Sequence, residues 1–202
     1  MSKRKYNQEI QYYKDVYRKK ILYSKPIVCD KDSKIELHIL TCKEDLLNTL
    51  WSLKTFYYYS ELRPRLIIHD DGTLTNNEIN IYFKHFVNHK LIKRKEADIA
   101  LRKYLRNYKF SQKYRFDNHK VHSIKLLDSL LCSETKQIMI HDSDILFFKK
   151  PSQIISCIKN KRGFFMSDYK NSYSLSMNHL NNLFNMKLRN NINSGIIYSL
   201  WL

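Results

Sequence analysis

The 202-residue sequence predicts an α/β fold, with a mainly parallel central sheet flanked by helices. Short apolar runs of strand length alternate with longer stretches whose apolar residues recur every three or four positions, the order of a parallel sheet crossed by helices. The composition, 43% hydrophobic with 13% aromatic, is ample for the core of one sizeable domain. No internal repeat or low-complexity linker divides the chain, so residues 26–202 read as one domain preceded by a helix within 1–25.

Tyr6, Ile10, Tyr13, Tyr17 and Ile21 recur at steps of four and three, predicting an amphipathic helix over 3–22 with a basic opposite face, closed by Pro26. Such a helix either docks on the domain or lies against an anionic membrane. IELHILTC (35–42) predicts a strand, and 43–62 a helix with Leu46, Leu47, Leu50 and Leu53 on one face. RPRLIIHDDGTLT (63–75) is a second strand running into a turn, and 76–86 another helix. After a polar, basic stretch, Val121 to Leu131 reads as a helix and QIMIHDSDILFF (137–148) as the next strand. GFFMSDY (163–169) and INSGIIYSLWL (192–202) read as two more strands.

The net charge of +17 is concentrated: residues 1–25 carry eight Lys/Arg against two acids, and residues 84–125 carry thirteen against three. A basic face attracts phosphates of any kind, so nucleic acid, anionic membrane and nucleotide diphosphates are all electrostatically compatible. Four widely spaced cysteines without a C-x-x-C pair, and the lack of a signal-peptide core or a membrane-spanning apolar run, predict a reduced, cytoplasmic protein, peripheral to a membrane if the first helix binds one. His85/His89 and His119/His122 stand at helical spacing, but no thiolate or carboxylate accompanies them at ligand spacing, which disfavours structural zinc.

Two acidic motifs compete for a catalytic role. IIHDDGTL (67–74) is close to the haloacid dehalogenase phosphatase signature, yet His69 stands where the nucleophilic aspartate belongs. Asp70-Asp71-Gly72 therefore reads as a strand-to-helix turn with at most a secondary polar contact to a ligand. In IMIHDSDILFFKK (138–150), by contrast, Asp142 and Asp144 follow one apolar run and precede another. If the strand continues through them, their carboxylates share a face roughly 7 Å apart at about 3.3 Å per residue. Carboxylates that close repel unless a cation neutralises them, and hard oxygen ligands suit Mg²⁺ or Mn²⁺. The plain alternative is a solvated turn, or pairing with Lys149 and Lys150.

The apolar strand, Asp-Ser-Asp and Ile-Leu-Phe-Phe-Lys-Lys-Pro segment resembles the D-x-D region of GT-A-type glycosyltransferases, the nucleotide-diphospho-sugar transferase fold. Other parts agree in order over residues 35–200: a first strand ending at Thr41-Cys42, a Lys-rich helix entry around Lys120, SDY after the D-x-D, and the NSG turn at Asn193 to Gly195. The resemblance implies a hexosyltransferase-like enzyme using Mn²⁺ or Mg²⁺ held by Asp142 and Asp144, with a nucleotide-diphosphate sugar as donor, a UDP-sugar favoured. It also implies donor contacts: Thr41 and Cys42 near the base, Ser143 at the ribose or sugar, Lys120 at the diphosphate, and Asn193, Ser194 and Gly195 at the transferred sugar. Asp168 contacts the sugar or acceptor, or merely caps a turn; Lys120 is equally readable as a solvated lysine, and no catalytic residue is assigned. GT-A-type enzymes usually continue past the NSG strand, so the chain reads as a C-terminally truncated or split member with an unknown acceptor. The rival class is a nucleic-acid-binding module, because Tyr104, Tyr108, Phe110, Tyr114 and Phe116 interleave with Lys and Arg. No recognisable nucleic-acid-binding motif accompanies them, which disfavours it.

Overall fold

The computed structural model describes residues 3–117, 121–171, 173, 175–185 and 187–200. In chain order, the helices are α1 (Lys3–Tyr12), α2 (Leu46–Ser60), α3 (Asn76–His85), α4 (Arg94–Tyr104), α5 (Lys109–Phe116), α6 (Val121–Leu131), α7 (Ser152–Lys159) and α8 (Met177–Phe184). The strands are β1 (Ile27–Val28), β2 (Ile35–Thr41), β3 (Arg65–Asp70), β4 (Phe86–Val87), β5 (Lys90–Ile92), β6 (Gln137–His141), β7 (Phe164–Ser167) and β8 (Ile192–Leu200). Six strands form one sheet in the order β5-β3-β2-β6-β8-β7, while β1 and β4 make a separate parallel pair. The β5, β3, β2 and β6 strands run parallel; β8 runs antiparallel to both β6 and β7. The mainly parallel α/β architecture expected from the sequence is therefore present.

Alternation along β2 and β3 explains the two layers. Leu37, Ile39, Leu66 and Ile68 face α2, where Leu50, Leu53, Phe56 and Tyr57 complete a buried cluster with Met139 and Tyr198. On the opposite face lie Ile67, Ile92 and Ala97 of α4, and the buried polar chain of Glu36, His38 and His69. There His38 Nδ1 meets His69 Nε2 at 2.9 Å and His38 Nε2 meets Glu36 Oε2 at 3.2 Å. Thr75 begins α3 with a reciprocal cap: its backbone N–H donates to Glu78 and its hydroxyl accepts from Asn77 N–H. The preceding turn is as read from DDG, because Asp70 Oδ1 accepts the N–H groups of Gly72 and Leu74.

Three expectations need correction. The first helix changes winding, from α over Lys3–Tyr12 to π over Tyr13–Tyr17 and 3-10 over Arg18–Tyr23. Its aromatic stripe is not buried: Tyr6, Tyr13 and Tyr17 are exposed and only Ile21 enters the core. Its far end is nonetheless docked, with Trp51 Nε1 donating to Arg18 O at 2.9 Å. Second, β6 stops at His141, and Ile145 to Phe148 form no strand. Ile145 and Phe147 still pack on the core, as isolated side chains of an irregular segment, which satisfies their apolarity without a ladder. Third, the basic stretch before α6 is not featureless; it holds β5, α4 and α5, joined by a 3-10 turn at Leu105–Asn107.

Among the described residues no helix is long and apolar enough to cross a membrane.

Candidate functional site

The sheet itself creates the site. From β2 the chain crosses through α2 to β3 on one side, whereas β6 pairs on the other. At such a switch point the loops leaving the carboxyl ends of adjacent strands diverge and leave a crevice. Here the crevice is a 220 Å³ cavity lined by Thr41 at the end of β2 and Cys42 just beyond it, Asp142 and Ser143 after β6, and Ser194 of β8. These five residues were all expected from the sequence. Asp45 before α2 and Asp71 after β3 line it as well, with His122 and Lys125 from the first turns of α6. The N-terminal ends of α2 and α6 thus border the cavity, and the positive ends of their dipoles favour an anion there.

Lys125 organises the polar wall. Its ammonium forms an ion pair with Asp142 and donates to Ser194 O at 2.5 Å and Ser194 Oγ at 3.3 Å. It therefore links the loop after β6 to β8 across the mouth. The Asp142 N–H donates to Gly195 O at 2.8 Å, and Asp142 O accepts from Ser52 Oγ at 3.2 Å. Ser143 Oγ donates to Asp45 Oδ2 at 3.4 Å. The Thr41 hydroxyl turns inward, to Thr49 and Tyr82 at 2.8 and 2.9 Å. Cys42 is held as a neutral thiol, its pKa pushed to about 11 chiefly by burial, with Asp45 and Asp71 adding to the effect.

The NSG segment buttresses this wall. Gly195 N–H donates to Asn193 Oδ1 at 2.7 Å, and Asn193 Nδ2 reaches Asp168 Oδ2 at 3.4 Å. A Cβ on Gly195 would lie 2.8 Å from Asn193 Oδ1 and 3.0 Å from Ile145 Cδ1, so any larger residue would make these side chains shift. Asn193, Gly195 and Asp168 do not line the cavity; they hold the residues that do. Lys120 lies outside the described residues. Lys125 is not among the residues expected from the sequence, because position five of α6 is one base among many until β6 and β8 stand beside it.

The two carboxylates of Asp-Ser-Asp part company because the segment is a turn and not a strand. Asp142 faces the cavity, while Asp144 borders a separate 640 Å³ groove walled by Trp51, Tyr59, Leu146 and Phe147. The shared strand face expected from alternation is thus not observed. Among the described residues no three His, Cys, Asp or Glu side chains converge to hold a metal ion. Of the two carboxylates only Asp142 faces the cavity; a single protein carboxylate is a donor that Mg²⁺ or Mn²⁺ accepts when water and phosphate oxygens fill the shell.

No family model matches the chain and no curated protein matches it in sequence. Solved structures do match in fold. The apo form of mouse xyloside xylosyltransferase 1 has a TM-score of 0.55 at 12% identity, over 87% of this chain and 67% of that one. The WbbM bifunctional glycosyltransferase has a TM-score of 0.51 at 11% identity, over 84% of this chain and 32% of its own. A looser match, at TM-score 0.39, 14% identity and 76% and 40% coverage, is a mannosyltransferase of Pyrobaculum calidifontis solved with GDP-mannose and Mn²⁺. The chain thus shares its α/β fold with these two glycosyltransferase structures.

Proposed function

We propose that this chain is the donor-binding part of a metal-dependent glycosyltransferase of hexosyltransferase type, taking a sugar from a nucleotide diphosphate. The observation that supports it best is the meeting of Thr41, Cys42, Asp142, Ser143 and Ser194 around Lys125 at the switch point of the sheet. Lys125 supplies a fixed positive charge for the diphosphate, and the Ser143 and Ser194 hydroxyls supply polar contacts for ribose or sugar. Asp142 and Asp144 would hold a divalent ion, which when bound draws charge from the leaving diphosphate. Cys42, a neutral thiol, takes no nucleophilic part and serves as a wall near the base. Asn193, Gly195 and Asp168 keep Ser194 and Asp142 in register. A UDP-sugar is the favoured donor, and the acceptor is to be found by experiment.

In this reading residues 26–202 are one domain. The exposed Tyr6, Tyr13 and Tyr17 of the first helix suit peripheral contact with an anionic membrane at the cytoplasmic face. Calorimetry of UDP, GDP and CDP with and without Mn²⁺ tests the proposal. One nucleotide should bind more tightly with the ion; equal binding of all three in EDTA and in Mn²⁺ would overturn it.

A further inference from the structure

The turn between α4 and α5 carries a second surface, unrelated to the cleft. From Arg102 to Phe110 every residue except Leu105 is exposed. Four of them are basic, Arg102, Lys103, Arg106 and Lys109, and three are aromatic, Tyr104, Tyr108 and Phe110. Phe110 is 92% exposed. The pattern extends back along α4, where Lys95, Ile99, Arg102, Lys103 and Arg106 follow helical spacing on the face opposite buried Ala97, Leu101 and Leu105. Ile99 is 74% exposed amid these charges.

The local acids do not offset this charge. Asp98 is paired with Arg94 at 2.8 Å and Arg115 at 3.0 Å, leaving Glu96 and Asp117 as the exposed acids against the larger number of exposed bases. The tip is also braced from behind. Arg115 is fully buried and grips Asp128 of α6 with two hydrogen bonds, of 2.5 and 2.7 Å. Such bracing presents the aromatic side chains on a stiff mount.

We infer that the α4–α5 tip is a docking surface for an anionic lipid membrane. A basic surface is complementary to acidic headgroups, and Tyr rings sit well at the boundary between headgroup and acyl chain. An aliphatic Ile99 beside a nearly bare Phe110 gains by entering hydrocarbon. Isoleucine offers no π-face for a base, and Arg115, one of the bases that made the stretch look suited to nucleic acid, is buried. The surface adds to any contact made by the first helix and does not depend on the cleft.

Co-sedimentation of the full chain with vesicles of phosphatidylcholine, with and without phosphatidylglycerol, tests this. Binding should require the anionic lipid and weaken with salt. Arg106→Glu/Lys109→Glu and, separately, Ile99→Ser/Phe110→Ser should each weaken it at least about tenfold, with far-UV circular dichroism unchanged because all four side chains are exposed. In Phe110→Trp, bromolipid should quench the new fluorescence. The proposal is overturned if anionic vesicles are not bound, if both tip variants bind like the parent while Tyr13→Ser/Tyr17→Ser does not, or if single-stranded RNA outcompetes the vesicles for the tip.

Discussion

Lys125 is paired with Asp142 and hydrogen-bonded to Ser194 O, so one ammonium closes the mouth of the cleft. A diphosphate entering there competes with a carboxylate for that charge, and an ion on Asp142 would release the lysine. Replacing Lys125 with Met should therefore lower nucleotide-diphosphate affinity at least about tenfold, as loss of a charge-assisted contact does. Calorimetry measures it; unchanged affinity would place the diphosphate elsewhere.

The Asp-Ser-Asp turn can be tested separately. Mn²⁺ should raise nucleotide affinity of the parent chain, and Asp144→Asn should remove most of that gain while leaving metal-free binding close to the parent value. Asp142→Asn should also disturb metal-free binding, because Asp142 sets the position of Lys125. If Asp144→Asn keeps the full Mn²⁺ effect, the second carboxylate has no part in the ion site.

Gly195→Ala should act on stability and on the cleft together. The added methyl meets Asn193 Oδ1 and Ile145 Cδ1, so the Asn193 side chain must leave the Gly195 N–H. A cost of about 1–3 kcal/mol is expected for such overpacking, read as a lower urea midpoint, with weaker nucleotide binding.

Arg115 offers a test of the buried ion pair. With Asp128 also buried, Arg115→Met strands a carboxylate that burial already pushes upward in pKa. Loss of about 3–5 kcal/mol is expected, and the double variant Arg115→Met/Asp128→Leu should recover much of it. Thermal unfolding of the single and double variants decides the matter.

Acid should destabilise the protein through the buried histidines. Burial holds His69 well below its ordinary pKa, aided by the charge of His38 nearby, and burial likewise lowers His38 against the pull of Glu36. The unfolded chain therefore binds more protons once pH drops below about 6.5, and stability falls by up to about 1.4 kcal/mol per pH unit for each histidine. Glu36, raised by burial but brought to about 2 chiefly by its hydrogen bond with His38, adds a further loss only below about pH 4.5. Urea midpoints between pH 7.5 and 4.5 should decline, and His38→Leu/His69→Leu should flatten that limb while lowering stability at every pH, because buried Glu36 loses its hydrogen bond to His38. The same slope in the double variant would refute the assignment.

The elements that were legible in the sequence are those whose apolar pattern is also their burial. Leu50, Leu53 and Phe56 announce α2 and pack where they point; Val121 to Leu131 is recovered to its ends. By contrast, α4 has only Ala97 and Leu101 facing inward, too sparse a stripe to stand out from its bases. Ile145 to Phe148 misled in the opposite sense, since an irregular segment anchored by Ile145 and Phe147 has the composition of a strand. Five residues that line the cavity were expected from the sequence, because hydroxyls and carboxylates after strands are locally unusual. Lys125 was not, because a lysine one helical turn along announces nothing until β6 and β8 are brought beside it.

That juxtaposition has a kinetic side. Gln137–His141 pair with Ile196–Leu200, and β8 lies inside the sheet between β6 and β7. The Thr41 half of the cleft follows from a crossover between neighbouring segments, whereas the Ser194 half waits for a ladder that spans α7, β7 and α8. Closing so long a loop is slow in entropy terms, and non-local pairing delays folding more than it weakens the product. In refolding, the central β2–β3 register should therefore gain exchange protection before Lys125 acquires its two partners, leaving an early species that has a sheet but no mouth to its cleft.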